Sequence, residues 1–340
     1  MAKEKIPVMV NGLSDTGKMA NAVCEEIRKQ DDMYAVGYSL TGPETPSHIS
    51  QVGFTFLIRP SARGDDLKLL KRFENLVMVD FTAPNAVNEN ADFYCENGFN
   101  FVMGTTGGDR KALEQRVLSS EVCAVIAPNM AKQIVALQEF LENYASANKD
   151  SMKGYELKVR ESHQKGKKDT SGTARAIIDY FNMMGIDFSI EEELKKELKL
   201  RNFTMIREHE EQILLGVPVA HLGGHGWHSY NITAPEGKSK ESLDKLKRAF
   251  YDEFFHDNPV FEDYKVIRTP EYQNAVSADK SVRFEFKAES PRECRITHNV
   301  NGRSIYALGV IDAIRFLDRR INEGKKGKVY SMIDVKNPAI

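Results

Sequence analysis

No two of the four cysteines in this 340-residue sequence are close enough in the chain to form a C-x-x-C motif. Zinc ribbons, thioredoxin-like redox motifs and disulfide frameworks depend on such spacing, so none of these classes is expected, and we expect no bound metal. The thiols are predicted to be buried, free and in a reducing compartment. They belong to Cys24, Cys95, Cys123 and Cys294.

The sequence also lacks a charge excess and a long apolar run. Lys and Arg total 47, Asp and Glu total 49, and the net charge is −2. This balance excludes a general electrostatic attraction to nucleic acid or to an anionic membrane. No apolar run reaches the ~18 residues of a membrane-spanning helix. The N-terminus runs almost at once into the apolar stretch Ile6–Val10, which leaves no room for a targeting peptide. We therefore expect a cytoplasmic protein that binds neither nucleic acid nor membrane.

The first 130 residues contain short apolar runs that alternate with helical patterns. This alternation predicts βαβ units and a Rossmann-like, doubly wound parallel sheet. The predicted strands are Ile6–Val10, Tyr34–Leu40, Phe54–Ile58, Val77–Phe81, Phe99–Met103 and Cys123–Ile126. The predicted helices are Gly17–Gln30, Asp65–Phe73, Ala86–Asn97 and Asp109–Val117, with a strong final helix over Ala307–Asn322.

The middle of the chain has a different pattern. Predicted helices cover Lys132–Ala147 and Thr173–Met184. Strands that alternate apolar and polar residues are predicted over Tyr155–Arg160, Trp227–Thr233, Val282–Phe286 and Arg295–Val300. Such strands predict an α+β domain with an open mixed sheet and helices on one face. We interpret the charge-rich stretch Ile190–Glu211 as a solvated helix face or an insertion.

These patterns predict two domains. Residues 1–130 and 307–340 are expected to form a dinucleotide-binding domain. Residues 131–306 are expected to form a domain for substrate binding and oligomerisation. Because β-rich second domains often pair their sheets edge to edge, we expect a homo-dimer or a homo-tetramer.

The turn after the first strand contains Gly12 and Gly17, followed by Lys18 and Met19. Glycines in such a turn let a phosphate approach the backbone, and the amides of the following helix can bind it. One interpretation is a P-loop with Lys18 on the phosphates and Asp80 on magnesium, although Met19 stands where Ser or Thr should follow the lysine. The other is a dinucleotide-binding turn lengthened by about two residues.

Two further clusters stand at predicted strand ends, Asp80-Phe81-Thr82-Ala-Pro84 and Gly104-Thr105-Thr106-Gly107. In an open α/β sheet, ligands bind beyond the carboxyl ends of the strands. Each cluster alone predicts only a turn, but three in succession favour a bound nucleotide. Asn129 lies in the turn after the last strand of this half, at the domain boundary, where it is expected to face the cleft.

The segment after the predicted strand Tyr155–Arg160 carries the candidate chemistry. His163 titrates nearest neutral pH, which makes it the predicted general acid. Lys167 follows it in the same loop and adds a cationic donor for an anion. Together they indicate an acid–base site for an anionic substrate.

The helix that follows this loop is a candidate anion site. Asp169 or Thr170 is expected to cap it. The amides of Ser171, Gly172 and Thr173 at its start are expected to bind a carboxylate.

The order of these motifs resembles that of the 4-hydroxy-tetrahydrodipicolinate reductases, also called dihydrodipicolinate reductases, of the diaminopimelate route to lysine. The matching runs span nearly the whole chain and are Gly17-Lys-Met19, Asp80-Phe-Thr82, Gly104-Thr-Thr-Gly107, Ala127-Pro-Asn129, Glu161–Ala174 and Ile296–Gly309. The sequence departs from the family pattern at Gln164, where the family has a second His, and before Ser171, where the family's Pro is absent. The form Glu161-Ser-His-Gln164 and the chain length are similar to those of the plant-type branch.

The resemblance implies hydride transfer from a nicotinamide to C4 of a cyclic, unsaturated dicarboxylate after its 4-hydroxyl leaves as water. His163 would be the general acid that protonates the developing carbanion or enamine, while Lys167 and the Ser171–Thr173 amides would grip a substrate carboxylate and Gln164 would assist. The implied substrate-binding residues are Lys167, Gln164, Ser171, Gly172 and Thr173. The implied cofactor-binding residues are Gly12, Gly17, Lys18, Met19, Phe81, Thr82, Gly104, Thr105, Thr106, Asn129, Arg303 and Tyr306.

The resemblance also bears on the choice of cofactor. Bacterial members often carry an acidic residue after the second strand, where it holds the adenine ribose, whereas this chain has Ser39-Leu-Thr41-Gly-Pro43. Because a hydroxyl-rich site does not repel a 2′-phosphate, NADPH is expected over NADH. Lys18, Arg59 or Arg63 could pair with that phosphate.

Three hypotheses stay open. The first is the reductase. The second is a P-loop phosphotransferase that uses Lys18 and Asp80, against which Met19 argues. The third is a non-catalytic nucleotide sensor or scaffold, against which the presence of both His163 and Lys167 argues.

Overall fold

A computed structural model describes residues 4–14, 17–42, 48–49, 55–127, 129–255, 264–268, 272–277 and 282–337. The chain divides into two compact units, which we call the first unit (Met1–Val135 and Arg303–Ile340) and the second unit (Ala136–Gly302). No helix in these described ranges is long and apolar enough to cross a membrane.

The described elements follow in chain order. They are β1 (Ile6–Asn11), α1 (Lys18–Ile27), β2 (Met33–Ala35), β3 (Tyr38–Leu40), β4 (His48–Ile49), β5 (Thr55–Ile58), α2 (Arg63–Leu70), β6 (Val77–Asp80), α3 (Val87–Asn97), β7 (Asn100–Met103), α4 (Arg110–Leu118), β8 (Cys123–Ile126), α5 (Lys132–Ala147), β9 (Glu156–His163), α6 (Gly172–Met183), α7 (Ile190–Lys195), β10 (Phe203–Ile206), α8 (His209–Leu214), β11 (His225–Thr233), α9 (Glu241–Phe255), β12 (Tyr264–Arg268), β13 (Tyr272–Ser277), β14 (Val282–Ser290), β15 (Glu293–Asn301), α10 (Ser304–Asn322), β16 (Lys328–Tyr330) and α11 (Met332–Lys336).

The main sheet of the first unit has six strands in the order β16-β8-β7-β6-β1-β2, and every neighbouring pair is parallel. From β1 the chain adds β2 on one side and then β6 on the other, so the strand order reverses between β1 and β6. Ligands of doubly wound sheets bind at this reversal. The turns that follow β1 and β6 are therefore the expected site of a nucleotide.

Helices cover both faces of this sheet because its strands are apolar on both sides. Val8 and Val10 pack with α1 and α10 on one face, whereas Met9 packs with α3 on the other. Both layers exclude water from the strands and leave only the strand ends exposed to a ligand.

The predicted strand Tyr34–Leu40 is corrected by the structure. It is two strands, β2 in the main sheet and β3 in a separate three-stranded sheet of order β3-β5-β4. The predicted strand Phe54–Ile58 is β5 of that small sheet, and Phe54 lies outside the described residues. Periodicity marked both apolar runs but carries no information on which partner a short strand selects. The helix predicted over Ala307–Asn322 is α10, which begins at Ser304, three residues before its predicted start.

The second unit contains a seven-stranded sheet in the order β10-β9-β11-β15-β14-β13-β12. β10 pairs with β9 in parallel, and the other neighbours are antiparallel, so the sheet is mixed as predicted. One face packs against α5, α6 and α9 through a core that includes Leu141, Phe181 and Phe250. β9 is longer than predicted and carries His163 as its last residue.

The charge-rich stretch Ile190–Glu211 is more ordered than its composition suggested. It contains α7, the edge strand β10 and the start of α8. Phe203 and Ile206 of β10 are buried, whereas Glu191 and Glu192 of α7 are exposed. The interpretation as a solvated face holds for α7 and is wrong for β10, because its four-residue apolar run is too short to stand out among the surrounding charges.

Candidate active site

The turn after β1 uses glycine at two close approaches. Gly12 has φ +89°, and a Cβ built there would lie 2.4 Å from the Phe81 carbonyl oxygen. A Cβ at Gly17 would lie 2.5 Å from the Gly12 carbonyl oxygen. Gly17 also precedes α1, whose first amides have no partner within the helix. The turn can therefore lie close to the β6 end and present backbone amides to an anion.

Asp80 ends β6 with a fully buried carboxylate. One oxygen accepts from the amide and hydroxyl of Thr82, at 2.9 and 2.7 Å, and from the Thr105 hydroxyl at 3.1 Å. The other accepts from Asn90 Nδ2 at 2.9 Å and from the Tyr94 hydroxyl at 2.7 Å. Five donors thus satisfy the carboxylate, and Asp80 anchors the β6 and β7 loops instead of holding magnesium.

The Phe81 ring closes over the loop after β7. A Cβ at Gly104 would lie 2.3 Å from that ring, so only glycine fits. Thr105 is buried, whereas Thr106 is exposed. Five predicted cofactor residues therefore meet at the ends of β1, β6 and β7: Gly12, Phe81, Thr82, Gly104 and Thr105.

The remaining predicted cofactor residues lie around this group. Lys18 is exposed at the start of α1, and Met19 packs partly buried against the apolar layer beneath α1. An apolar contact at Met19 and a saturated Asp80 both count against a P-loop. Asn129 Oδ1 accepts from the Ala131 amide at 3.0 Å, which shapes the turn before α5.

Arg303 and Tyr306 stand at the start of α10 in the first unit. Burial raises the pKa of Tyr306 to about 12, against an opposing effect of Arg303. A Cβ at Gly309 would lie 1.7 Å from the Met130 carbonyl oxygen, so glycine lets α10 pack directly on the backbone beside Asn129. The structure thus brings the start of α10 to the turn that carries Asn129.

His163 ends β9 opposite Gly226 of β11. Its Nδ1 lies 3.0 Å from the His225 carbonyl oxygen. Because a carbonyl only accepts, this bond assigns the proton of the neutral ring to Nδ1 and leaves Nε2 as an acceptor. Nε2 is buried and has no hydrogen-bond partner among the described residues. Gln212 Nε2 donates to the His163 carbonyl at 2.8 Å and fixes the strand end.

Burial lowers the pKa of His163 to about 3. The bond to the His225 carbonyl opposes this shift, and the positive charges of Lys167 and Arg207 reinforce it. The expectation that His163 titrates near neutral pH is therefore wrong for the ligand-free protein, because the imidazolium loses its hydration. A neighbouring anion would raise this pKa again, which makes the protonation of His163 sensitive to what binds beside it.

A buried ion pair organises the loop after β9. Glu161 is fully buried, and its carboxylate accepts from Arg207 Nη2 at 2.6 Å and from the Ser171 amide at 2.9 Å. Arg207 Nε also donates to the Lys167 carbonyl at 2.8 Å. One guanidinium therefore ties this loop and, through Glu161, the start of α6 to the strand that carries His163.

The cap of α6 corrects the predictions for this helix. Ser171 immediately precedes it, in place of Asp169 or Thr170, and its side chain makes no capping bond. Because Glu161 takes the Ser171 amide, that amide is not available to a substrate carboxylate. The anion-binding end of α6 begins at Gly172, which is exposed and where a Cβ would meet no atom within 4 Å. Thr173 is half-buried.

Lys167 is engaged in the ligand-free protein. Its Nζ lies 2.8 Å from Asp169 Oδ2, with 21% of the Lys167 side chain and 78% of the Asp169 side chain exposed. The Lys167 ammonium lowers the pKa of Asp169. Pairs with an exposed partner contribute little to stability, so a substrate carboxylate can replace Asp169 at small cost. Gln164 follows β9 and is half-buried.

Sequence reasoning missed several residues that shape this site. They are Arg207, Gln212, His225, His228 and His298. A usable signal existed for His228, since strand alternation places it on the same face as the core residue Tyr230. No local signal marked Arg207, because its partner Glu161 is distant in sequence.

The two units together define a class of protein. A parallel sheet with glycine-lined strand ends suits a nucleotide, while an acid–base imidazole, a lysine and a helix N-terminus suit an anionic substrate. Taken unit by unit, these features are those of a nucleotide-dependent enzyme.

Two family models match the chain. Residues 6–130 match "Dihydrodipicolinate reductase, N-terminus", and residues 133–335 match "Dihydrodipicolinate reductase, C-terminus". The chain belongs to the dihydrodipicolinate reductase family. This result confirms the resemblance and the Rossmann-like fold with a second, mixed-sheet domain, and the family uses a nicotinamide cofactor.

Named relatives agree over nearly the full chain. The "Probable 4-hydroxy-tetrahydrodipicolinate reductase 2, chloroplastic" of Oryza sativa subsp. japonica is 36% identical in an alignment that covers 98% of this chain and 84% of the relative. The "4-hydroxy-tetrahydrodipicolinate reductase 2, chloroplastic" of Arabidopsis thaliana is 34% identical in an alignment that covers 97% of this chain and 77% of the relative. A dipicolinate-bound dihydrodipicolinate reductase from Paenisporosarcina sp. TG-14 matches with a TM-score of 0.53 at 15% identity, covers 96% and 98%, and shows the fold alone.

Proposed function

We propose that this chain reduces 4-hydroxy-tetrahydrodipicolinate to tetrahydrodipicolinate with a nicotinamide cofactor, as a step of lysine biosynthesis. Family membership supports the reaction class. The observation that carries the proposal is the end of β9, where a buried imidazole with an unpaired Nε2 precedes Lys167 and the start of α6. An acid, a cation and helix amides are the groups that a dicarboxylate needs when one of its carbons must be protonated.

The first unit would bind the cofactor, which supplies the hydride. The strand ends fit such a group, because a Cβ at Gly12, Gly17 or Gly104 would come within 2.5 Å of backbone or ring atoms. The backbone is therefore bare where a pyrophosphate and a nicotinamide would approach. The proposed contact residues are Gly12, Gly17, Lys18, Met19, Phe81, Thr82, Gly104, Thr105, Thr106, Asn129, Arg303 and Tyr306.

His163 would act as the general acid. It is neutral in the free protein, so it must take up a proton at Nε2 before it can donate one. A substrate with two negative charges favours that uptake by Coulomb attraction, whereas burial alone opposes it. His163 then protonates the enamine or carbanion carbon, and the His225 carbonyl holds the ring through Nδ1 during the transfer.

Lys167 would bind one substrate carboxylate after it releases Asp169. The amides of Gly172 and Thr173 and the Gln164 side chain would contact the substrate as well, while Ser171 contributes through its bond to Glu161. The ion pair of Lys167 with Asp169 keeps the ammonium in place when no substrate is bound.

We propose NADPH in preference to NADH. The Thr41 amide donates to the Ile58 carbonyl at 3.0 Å, so Thr41 and Arg59 follow neighbouring parallel strands, β3 and β5. A hydroxyl and a guanidinium at this edge suit a 2′-phosphate. Arg63 Nη2 donates to Asn90 Oδ1 at 2.8 Å, beside the buried Asp80 carboxylate.

Self-association as a homo-dimer or homo-tetramer also remains a proposal. Large apolar side chains of the second unit are exposed: Leu198, Leu200, Leu214 and Val219. Exposed apolar patches mark protein interfaces. Light scattering coupled to size-exclusion chromatography tests self-association, and a monomer at micromolar concentration would contradict it.

A cytoplasmic location is likewise proposed. The named plant relatives are chloroplastic, and imaging of the tagged full-length protein tests the location of this one.

The reaction is tested with freshly made 4-hydroxy-tetrahydrodipicolinate and each cofactor. We expect substrate-dependent oxidation of NADPH and a lower kcat/KM with NADH.

Arg59→Ala is expected to lower kcat/KM for NADPH by about tenfold, because one charge-assisted contact is lost, and to leave kcat/KM for NADH unchanged. A protein that binds NADPH without turnover would be a sensor and would contradict the proposal. Binding of ATP with magnesium would indicate the phosphotransferase.

A further inference from the structure

A row of aromatic side chains leads from His163 into the second-unit core. Cross-strand register places His228 opposite Glu161 on one side and opposite His298 on the other. The ring centroids of His163 and His228 are 5.1 Å apart at an interplanar angle of 73°, and those of His228 and His298 are 4.6 Å apart at 27°. The three imidazoles therefore form one continuous contact series.

Both inner histidines carry unused hydrogen-bonding capacity. His228 and His298 are 3% and 2% exposed. All four of their ring nitrogens, together with His163 Nε2, are buried without a partner among the described residues. An unpaired buried polar group is a net cost to folding, so five such atoms in one place require an explanation other than stability.

The surrounding strands show that an apolar solution was available. The same sheet face continues with Val159, Tyr230, Ile296 and Phe284, all of which belong to the core. Buried polar side chains replace this apolar pattern at one end of the face, where Glu161, His228 and His298 are cross-strand neighbours and His163 ends β9. Their placement thus follows the proposed acid instead of the needs of packing.

A metal ion does not account for the row. A ring nitrogen of His163, one of His228 and a carboxylate oxygen of Glu161 lie within 4.8 Å of one another. The Glu161 carboxylate already accepts from the Arg207 guanidinium and the Ser171 amide, and a second cation at that carboxylate would be repelled.

We propose that His228, backed by His298, is a positioning partner of His163, and that the neutral His228 ring in T-shaped contact with it stabilises the protonated form of His163 that delivers the proton. In the delivery step the N–H bond of His163 breaks while the new C–H bond forms with the electron pair of the substrate enamine. A proton from water then restores His163. His228 stays neutral and accepts, which its complete burial favours.

The charged and titratable groups around His163 act in both directions. They are Glu161, Lys167, Asp169, Arg207 and His225. Lys167 and Arg207 disfavour an imidazolium, and Glu161 is neutralised by its pair with Arg207. A neutral acceptor such as His228 favours the protonated form of His163 without adding another charge.

The test is the pH dependence of kcat in His228→Leu, whose side chain cannot accept a hydrogen bond. Activity needs protonated His163, so kcat falls as pH rises through the apparent pKa of the substrate complex. Loss of the acceptor should move this fall about one unit to lower pH, a tenfold change in proton affinity. His298→Leu should give a smaller shift of the same sign, with KM for substrate little changed in both.

Two matched variants separate this role from packing. Ile296→Val removes buried volume from β15 on the same face, and His209→Leu makes the same chemical change at an exposed position of α8. Neither should shift the pH profile. An equal shift in Ile296→Val, or none in His228→Leu, would overturn the proposal.

A second readout does not need turnover, since the proposal rests on the proposed function. ¹⁵N-histidine NMR with NADP⁺ and pyridine-2,6-dicarboxylate follows the His163 ring directly. Its titration midpoint should be lower in His228→Leu than in wild type. If the protein shows no turnover but the midpoint still differs between the two proteins, only the proposed reaction is contradicted. If turnover is normal but the two midpoints are equal, only the role of His228 is contradicted.

Discussion

The two units treat their buried polar groups in opposite ways. In the first unit, the Asp80 carboxylate is surrounded by five donors that join the loops after β6 and β7. In the second unit, His228 and His298 keep four ring nitrogens without a partner among the described residues. Both groups are almost fully buried. A saturated network holds a backbone rigid, whereas unused donors and acceptors remain available for proton transfer.

The same contrast applies to what each unit offers a ligand. The first unit offers backbone, brought close by glycines such as Gly12 and Gly104. The second offers titratable side chains, among them His163, whose pKa burial lowers. The proposed assignment of cofactor binding to the first unit and of the acid to the second predicts that binding and chemistry are separable by mutation.

The largest effect on activity is expected for Lys167→Ala. The substrate carboxylate would lose its counter-charge, so kcat/KM should fall by about 100-fold or more, while NADPH binding by the first unit stays unchanged. Steady-state kinetics and a fluorescence titration measure both. Lys165→Ala is the control, because Lys165 is exposed and pairs only with Glu208 in the described structure. Normal substrate binding by Lys167→Ala would reduce Lys167 to a surface lysine.

Arg207→Ala should cause the largest loss of stability. It leaves the Glu161 carboxylate buried and unpaired, which costs about 3–5 kcal/mol. Arg207→Lys keeps the positive charge but lacks the guanidinium fork that reaches both Glu161 and the Lys167 carbonyl. It should therefore lose less stability than Arg207→Ala. Urea denaturation followed by the fluorescence of Trp227, the sole tryptophan, reports on the second unit. Equal stability of Arg207→Ala and wild type would contradict the clamp.

Asp80→Asn should weaken the first unit selectively. An amide in this position would point its NH₂ group at existing donors, at a cost of about 1–3 kcal/mol. Hydrogen exchange measured by mass spectrometry should then increase in peptides from β6 to the loop after β7. Peptides of β11 should keep their protection. An equal loss of protection from hydrogen exchange in both units would contradict the contrast between them.

The smallest predicted effect is on the pH dependence of stability. His163, His228 and His298 have pKa values lowered by burial, so the unfolded chain binds more protons than the native one below pH ~6.5, and stability falls as pH falls. Each histidine contributes up to about 1.4 kcal/mol per pH unit. In His298→Gln, the denaturation midpoint should therefore change less with pH between pH 6 and pH 4.5 than it does in wild type. An unchanged slope would mean that His298 is already charged in the native state.

Much of the fold could be predicted from periodicity. α5 begins and ends at its predicted residues, Lys132 and Ala147, because its apolar stripe is long. Short elements were harder. The stretch Tyr34–Leu40 proved to be two strands of different sheets, and β10 and β16 were missed, since three or four residues hold too little pattern to compete with their surroundings.

His163 and Lys167 could be proposed from the sequence because motif and chemistry lie in one segment, and their roles stay a prediction. The candidate site was not predictable where partners meet across the sheet. The Glu161–Arg207 pair and the His228–His298 stack depend on strand register, which local sequence does not encode. The depressed pKa of His163 also arises from burial and could not be read from the residue type.

The division of labour between the units is tested most directly by two variants measured side by side, Gly12→Ala and His163→Gln. NADPH affinity comes from fluorescence titration and kcat from the reductase assay. His163→Gln should bind NADPH as wild type does and lose about 100-fold in kcat, since the acid is gone. Gly12→Ala, with a Cβ placed 2.4 Å from the Phe81 carbonyl oxygen, should instead lose at least about tenfold in NADPH affinity. A His163→Gln protein with normal kcat, or a Gly12→Ala protein with normal NADPH affinity, would contradict the account.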